Sequence, residues 1–226
     1  MPAKTATQIL PLENGDRLSR IEFERRYTAM PKLKKAELIE GIVYMASPLR
    51  HRSHGKPHAA VMTLLSAYWV ATPGVDIGDN STVRLDLDNE PQPDALLRIE
   101  SGGKSLVSDD DYLEGAPELI VEIAASSAAY DLHDKKQVYR RNGVQEYVVW
   151  QFFENKLDWF SLTEGEYVPL QPDDNGVVKS LVFPGLWLAV PLLLAGEMVN
   201  AIAVLQSGLN SPEHAQFIEL LSNRLS

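Results

Sequence analysis

One stretch constrains the fold more than any other. LIVEIAA (119–125) is a nearly continuous apolar run broken by a single acid, Glu122. Such a run reads as a strand buried on both faces. A helical segment follows, which Asp131 can cap and which runs to Asn142, with Gly143 as its left-handed terminator. VQEYVVWQF (144–152) is then a second buried strand. Strand, helix and strand in succession favour a parallel crossover, so the chain is α/β.

The flanking segments fill in a mixed central sheet flanked by helices. Ser19 and Glu22 are spaced as a capping box for a short helix that Pro31 ends. AELIEGIVYMAS (36–47) reads as strand, tight turn at Glu40-Gly41, strand. Residues 57–71 carry apolar side chains at helical spacing behind Pro57, and Pro73-Gly74 closes that helix. STVRLDLD (81–88) alternates like a half-buried strand, and QPDALLRIE (92–100) reads as another. The glycine-rich, acidic segment 101–118 reads as a loop. KLDWFSL, EYVPL and VVKSLVFPGLWLAV read as a C-terminal β-meander, followed by helices within 194–226, the last capped by Ser211. A chain of 226 residues suits one domain, expected over 19–226, with residues 1–18 as a flexible N-terminal arm.

Composition narrows the function classes. Lysine plus arginine is 21 and aspartate plus glutamate 31, a net charge of −10. That argues against a broad basic face for nucleic acid or anionic membrane, though not against a local basic groove. With no cysteine, disulfides, thiolate zinc sites and cysteine nucleophiles drop out. The N-terminal residues lack the apolar core of a signal peptide, and the apolar run 186–195 is interrupted by Pro191 and too short to span a bilayer. These features point to a cytoplasmic protein without membrane partners. Phosphate-binding glycine loops, the GxSxG elbow and the HExxH pair are absent.

Two acids stand out. Asp94 and Glu122 each lie in or beside an apolar strand, where an unpartnered carboxylate costs several kcal/mol, on the order of a lost ion pair. Two strand carboxylates converging at a sheet edge suit Mg²⁺ or Mn²⁺, which favour hard oxygen ligands. From spacing alone, a turn cap or an arginine partner is the leading rival explanation. Lys135 and Tyr139, four apart, share one face of the following helix, close to the end of the Glu122 strand. A lysine there could stabilise charge at a phosphate, or simply belong to a solvated basic face with Lys136, Arg140 and Arg141. His51, His54 and His58 have metal-ligand spacing, but Pro57 disfavours one continuous helix through them and no acid lies near in sequence.

These pieces together resemble the Uma2 family of the PD-(D/E)xK nuclease superfamily. The resemblance rests on PDALL (93–97), GAPELIVEIAASS (115–127) and DLHDKKQVYRRNGVQEYVVW (131–150), with AELIEGIVYMASP (36–48) and FPGLWL (183–188) at either side, and covers about residues 20–190. It implies a restriction-endonuclease-like core and a Mg²⁺- or Mn²⁺-dependent endonuclease acting on DNA. Asp94 and Glu122 would be the metal ligands and Glu37 an added carboxylate. The superfamily lysine, expected two residues after the acid, is replaced by Ala124, and Lys135 on the next helix matches the Uma2-like position. The chain also departs from the family at Ala125, Val148 and Trp150. His54 would lie near the cleft, Tyr139 behind Lys135, and Arg52, Lys56 and Arg84 would contact phosphate. Lys135→Ala is expected to spare folding. FPGLWLAVPLLLA (183–195) offers a surface for a homodimer, with core packing as its rival explanation. Two other functions compete: a nuclease-fold interaction protein that has lost catalysis, and a metal-dependent hydrolase of a small phosphorylated substrate.

Overall fold

A computed structural model describes residues 9–45, 48–125 and 131–224, and at Asp131 the backbone alone. Helix α1 (Arg20–Thr28) leads into the hairpin β1 (Ala36–Ile39) and β2 (Ile42–Met45). Its turn is the expected Glu40-Gly41 pair, with φ of 53° and 69°; two positive values are what a two-residue hairpin turn requires. A π-helical turn (His51–Gly55) runs directly into α2 (Lys56–Ala71), so Pro57 sits near the start of a continuous helical run instead of breaking it. Next come β3 (Val75–Asp79), β4 (Val83–Arg84), β5 (Ala95–Ile99), β6 (Ser105–Val107), β7 (Leu113–Gly115) and β8 (Leu119–Ala124). A second π-helical turn (Asp131–Lys135) opens α3 (Lys136–Asn142), which Gly143 ends at φ 81°. The remaining strands are β9 (Glu146–Gln151), β10 (Lys156–Thr163), β11 (Glu166–Pro169), β12 (Val177–Lys179) and β13 (Trp187–Ala189). Helices α4 (Val190–Ala195), α5 (Met198–Leu209) and α6 (Pro212–Ser222) finish the described chain.

Six strands form the main sheet in the order β11-β10-β9-β8-β5-β3. Within this sheet, among the described residues, only β8 and β9 are parallel, joined through α3 as the apolar runs predict. Every other neighbouring pair in it is antiparallel. The sheet is therefore mixed.

Strand alternation sends β8 in two directions. Leu119, Val121 and Ile123 pack with Ala95, Leu97 and Val148 against Val61, Leu64 and Tyr68 of α2. Ile120 and Ala124 face the other way, with Leu96, Tyr147 and Val149, toward Tyr139 of α3. Glu122 has the parity of this second face, so the fold sends its carboxylate toward the helix that carries Lys135.

Several local expectations need correction. Ser19 precedes α1 but makes no side-chain cap bond, and the Glu22 carboxylate that would complete the box is held by the guanidinium groups of Arg25 and Arg26 at 2.7 Å. The strand expected over 81–88 shrinks to Val83–Arg84, since the Asp86 carboxylate accepts from the Asp88 amide and the Asn89 side chain and folds the chain into a turn. Segment 101–118, expected as loop, contributes β6 and β7, which join β4 in a small three-stranded sheet. The C-terminal meander divides: β10 and β11 extend the main sheet, while β12 and β13 pair separately. In the stretch read as a loose arm, Leu12 is buried and the Leu18 amide donates to the Gly41 carbonyl at 2.8 Å. The side-chain cap expected from Asp131 lies outside the described residues.

The proposed dimer surface also changes meaning. Phe183, Leu186, Leu188 and Leu193 are buried in the main core, so core packing accounts for FPGLWLAVPLLLA. Among the described residues, no helix is long and apolar enough to cross a membrane.

Candidate active site

Glu122 enters from the middle of β8 and is buried. Its Oε1 accepts from Lys135 Nζ at 2.9 Å and from the Tyr139 hydroxyl at 2.7 Å. The four-residue spacing of Lys135 and Tyr139 thus aims both side chains at one oxygen. Burial, together with the charge of Glu122, raises the Tyr139 phenol well above its ordinary pKa, so it stays protonated and donates.

Lys135 is only 3% exposed and is no part of a solvated face. Its Nζ also donates to Glu37 Oε1 at 2.8 Å, joining β1 to β8. Lys136 diverges from it: its Nζ lies 3.4 Å from the centroid of the Phe160 ring. Arg140 and Arg141 pair outward with Glu166 and Glu40. Four basic residues within seven positions of one short helical run therefore have separate fates.

Asp94 immediately precedes β5. Ala95 pairs with Val121 in the antiparallel ladder, so one step further along the register Asp94 stands opposite Glu122. The Ile123 amide donates to Asp94 Oδ2 at 2.7 Å, and His54 Nε2 meets Oδ1 at 3.1 Å. Burial alone would raise the Asp94 pKa, but the His54 hydrogen bond and charge, Lys35 and the Ile123 amide outweigh it and hold it below the usual value. Asp94 is accordingly ionised at neutral pH.

Three polar groups at this centre escape a sequence reading. Lys35 Nζ bonds the Gln92 carbonyl at 2.9 Å and lies 3.9 Å from Asp94 Oδ1. The Gln92 amide donates to Glu37 Oε1 at 2.7 Å, and Asn80 Oδ1 accepts from Lys35 at 3.2 Å. Lys35 had one available signal, its place two residues before Glu37 at the entry to β1. Gln92 and Asn80 had none, because a backbone amide and a turn asparagine carry no spacing motif.

Two of the three histidines, His54 and His58, meet at Asp94. His58 Nε2 contacts both the Asp94 carbonyl and Asp79 Oδ1 at 3.0 Å. Two acceptors on one nitrogen place the hydrogen there. The His54 and His58 rings stack at 5.9 Å, while His51 is exposed. Arg52 and Lys56 are exposed on the helical run that carries His54. Arg84, expected at phosphate, is turned away: it pairs with Glu24 and Asp110 at 2.8 Å, with Glu114 at 3.3 Å, and covers the Tyr112 ring. Those carboxylates hold it as a structural tie.

Among the described residues, no three histidine, aspartate or glutamate side chains form a metal-holding group. Two carboxylates from register-adjacent positions are nonetheless a hard-oxygen donor set, and Mg²⁺ or Mn²⁺ can use one or two carboxylates with waters in the remaining positions. Asp94 and Glu122 fit that role, with Lys135, Tyr139 and the Ile123 amide holding them in place.

Comparison with known proteins agrees with this architecture. The family model described as "Uma2: Putative restriction endonuclease" matches residues 21–191. A crystal structure described as a putative nuclease belonging to DUF820, from Anabaena variabilis ATCC 29413, superimposes with a TM-score of 0.53 at 12% identity. The superposition covers 80% of this chain and 97% of that one. At that identity the likeness is one of fold. No curated protein matches the chain. With the family model spanning most of its length, from α1 to the start of α4, this chain belongs to the Uma2 family.

Proposed function

We propose that this protein is a divalent-metal-dependent endonuclease that hydrolyses phosphodiester bonds in DNA at the centre formed by Asp94, Glu122, Lys135 and Glu37. The observation that carries this reading is the position of Lys135 Nζ, buried between Glu37 and Glu122, beside a strand whose register sets Asp94 opposite Glu122. Asp94 and Glu122 would hold Mg²⁺ or Mn²⁺, which when bound supplies an acidified water and offsets phosphate charge. In hydrolysis the water oxygen forms a new bond to phosphorus, the bridging P–O bond breaks, and the departing oxygen takes up a proton. Lys135 presents a fixed positive charge beside the reacting phosphate and costs no reorganisation as charge develops. Glu37 orients that ammonium, and the protonated Tyr139 keeps Glu122 directed toward it.

Supercoiled plasmid incubated with Mg²⁺ or Mn²⁺ tests the reading. Wild type should convert it to nicked or linear forms, and Asp94→Ala or Glu122→Ala should slow conversion about 10²–10³-fold. Absence of cleavage with either ion would overturn the proposal in favour of a non-catalytic interaction protein.

A further inference from the structure

A group of exposed positive charges without ion-pair partners among the described residues lies beside the carboxylate centre. Several arginines elsewhere are spent on acids: Arg26 on Glu22, Arg84 on Glu24 and Asp110, Arg98 on Asp76, Arg140 on Glu166. Lys32, Lys34, Arg50, Arg52 and Lys56 are all exposed, and among the described residues none of them forms an ion pair. They fall in two short segments. Lys32 and Lys34 precede Lys35, whose Nζ reaches the Gln92 carbonyl and the edge of Asp94. Arg50, Arg52 and Lys56 surround His54, whose ring bonds Asp94. Each segment is therefore pinned to the centre by its own member.

On the β3 side the sign reverses. A cleft there is lined by Ser81, Thr82, Asp111 and Tyr112, and by Asp76, whose charge Arg98 pairs. Thr82 connects it to the centre, since its hydroxyl accepts from Gln92 Nε2 at 2.9 Å and the Gln92 amide bonds Glu37. The Asp79 side chain is half exposed beside it. A polyanion meets attraction on one flank and repulsion on the other.

Resting on the phosphodiesterase reading above, we infer that Lys32, Lys34, Arg50, Arg52 and Lys56 form a one-sided track for the phosphate backbone of duplex DNA. The track runs past His54 and keeps the duplex off the acidic cleft beside β3. A net charge of −10 does not prevent this, because affinity follows the phosphates neutralised locally and not the charge of the whole molecule. A small phosphorylated substrate would leave five exposed cations in two segments without a use.

Binding of a short fluorescein-labelled duplex, followed by anisotropy in Ca²⁺ across a salt series, tests the track without requiring turnover. The triple variant Arg50→Gln/Arg52→Gln/Lys56→Gln should bind at least about tenfold more weakly and lose about three from the slope of log affinity against log salt. The control Arg140→Gln/Arg141→Gln, on α3, should match wild type, and circular dichroism should show both variants folded. Equal weakening in the two variants, or no salt-dependent binding by wild type, would overturn the track. Salt-dependent duplex binding without plasmid cleavage would support the track while removing the endonuclease reading. Hydrolysis of bis(p-nitrophenyl) phosphate without duplex binding would do the reverse.

Discussion

Lys135 shows how much one residue's surroundings decide. A sequence view makes it one of several basic residues on a helix, removable without harm to the fold. Its burial between Glu37 and Glu122 reverses that expectation. Removing the cation from two buried carboxylates should cost about 3–5 kcal/mol. Lys136→Ala loses a ring contact at the surface of Phe160 and should cost under about 1 kcal/mol. Urea denaturation of the two variants decides between these roles, and equal midpoints would return Lys135 to a solvated face. By the same geometry Glu122→Gln weakens a paired charge, and stability should fall by about 1–3 kcal/mol because Glu37 still holds the lysine. A rise in the unfolding midpoint would contradict the pairing.

Among the elements, α1, β4 and the β6–β7 hairpin are tied together by Arg84 through Glu24, Asp110 and Glu114. Glu90 lies within this cluster, and its carboxyl is pushed up to about 8. Burial is the main cause, followed by the hydrogen bond and charge of Glu24, with Arg84 and Arg20 opposing. The folded state thus holds a proton that the unfolded chain releases near the ordinary value of 4.5. The resulting stability is full below that value and is lost as pH rises through about 8. Glu90→Gln keeps the group neutral, so its melting temperature should gain on wild type between about pH 5 and about pH 9. A difference that stays constant across this range would show that Glu90 is ionised in the fold.

For the whole molecule, the question is which apolar surface belongs to the core. Leu193 of α4 is buried against the main sheet cluster, in the run whose composition suggests an interface. Leu193→Ala should therefore cost about 2–5 kcal/mol in unfolding free energy and leave the particle mass by light scattering unchanged. A drop in mass with little loss of stability would restore that run as a subunit contact. Trp150 and Trp159 likewise lie in the core, while Trp69 is exposed.

The central crossover was legible because apolar continuity, an intervening helix and a terminating glycine are local signals that agree with one another. LIVEIAA and VQEYVVWQF became β8 and β9 in parallel, and Glu40-Gly41 became the hairpin turn. Asp94, Glu122, Lys135 and Glu37 stood out because charge inside an apolar run is costly unless it is matched. The partners that match them come from β1, the helical run before α2, and α3. Lys35, Gln92 and Asn80 join the centre only because distant segments meet there, and Arg84 leaves it because Glu24 and Asp110 arrive from other elements. Likewise, the hairpin inside 101–118 pairs β6 with β7 and gains its third strand, β4, from outside the segment. Local pattern determined the elements and named the costly charges. Tertiary packing decided which opposite charge each would meet, since hydrogen bonds act over about 3 Å and partners up to 98 residues apart reach that distance only in the folded chain.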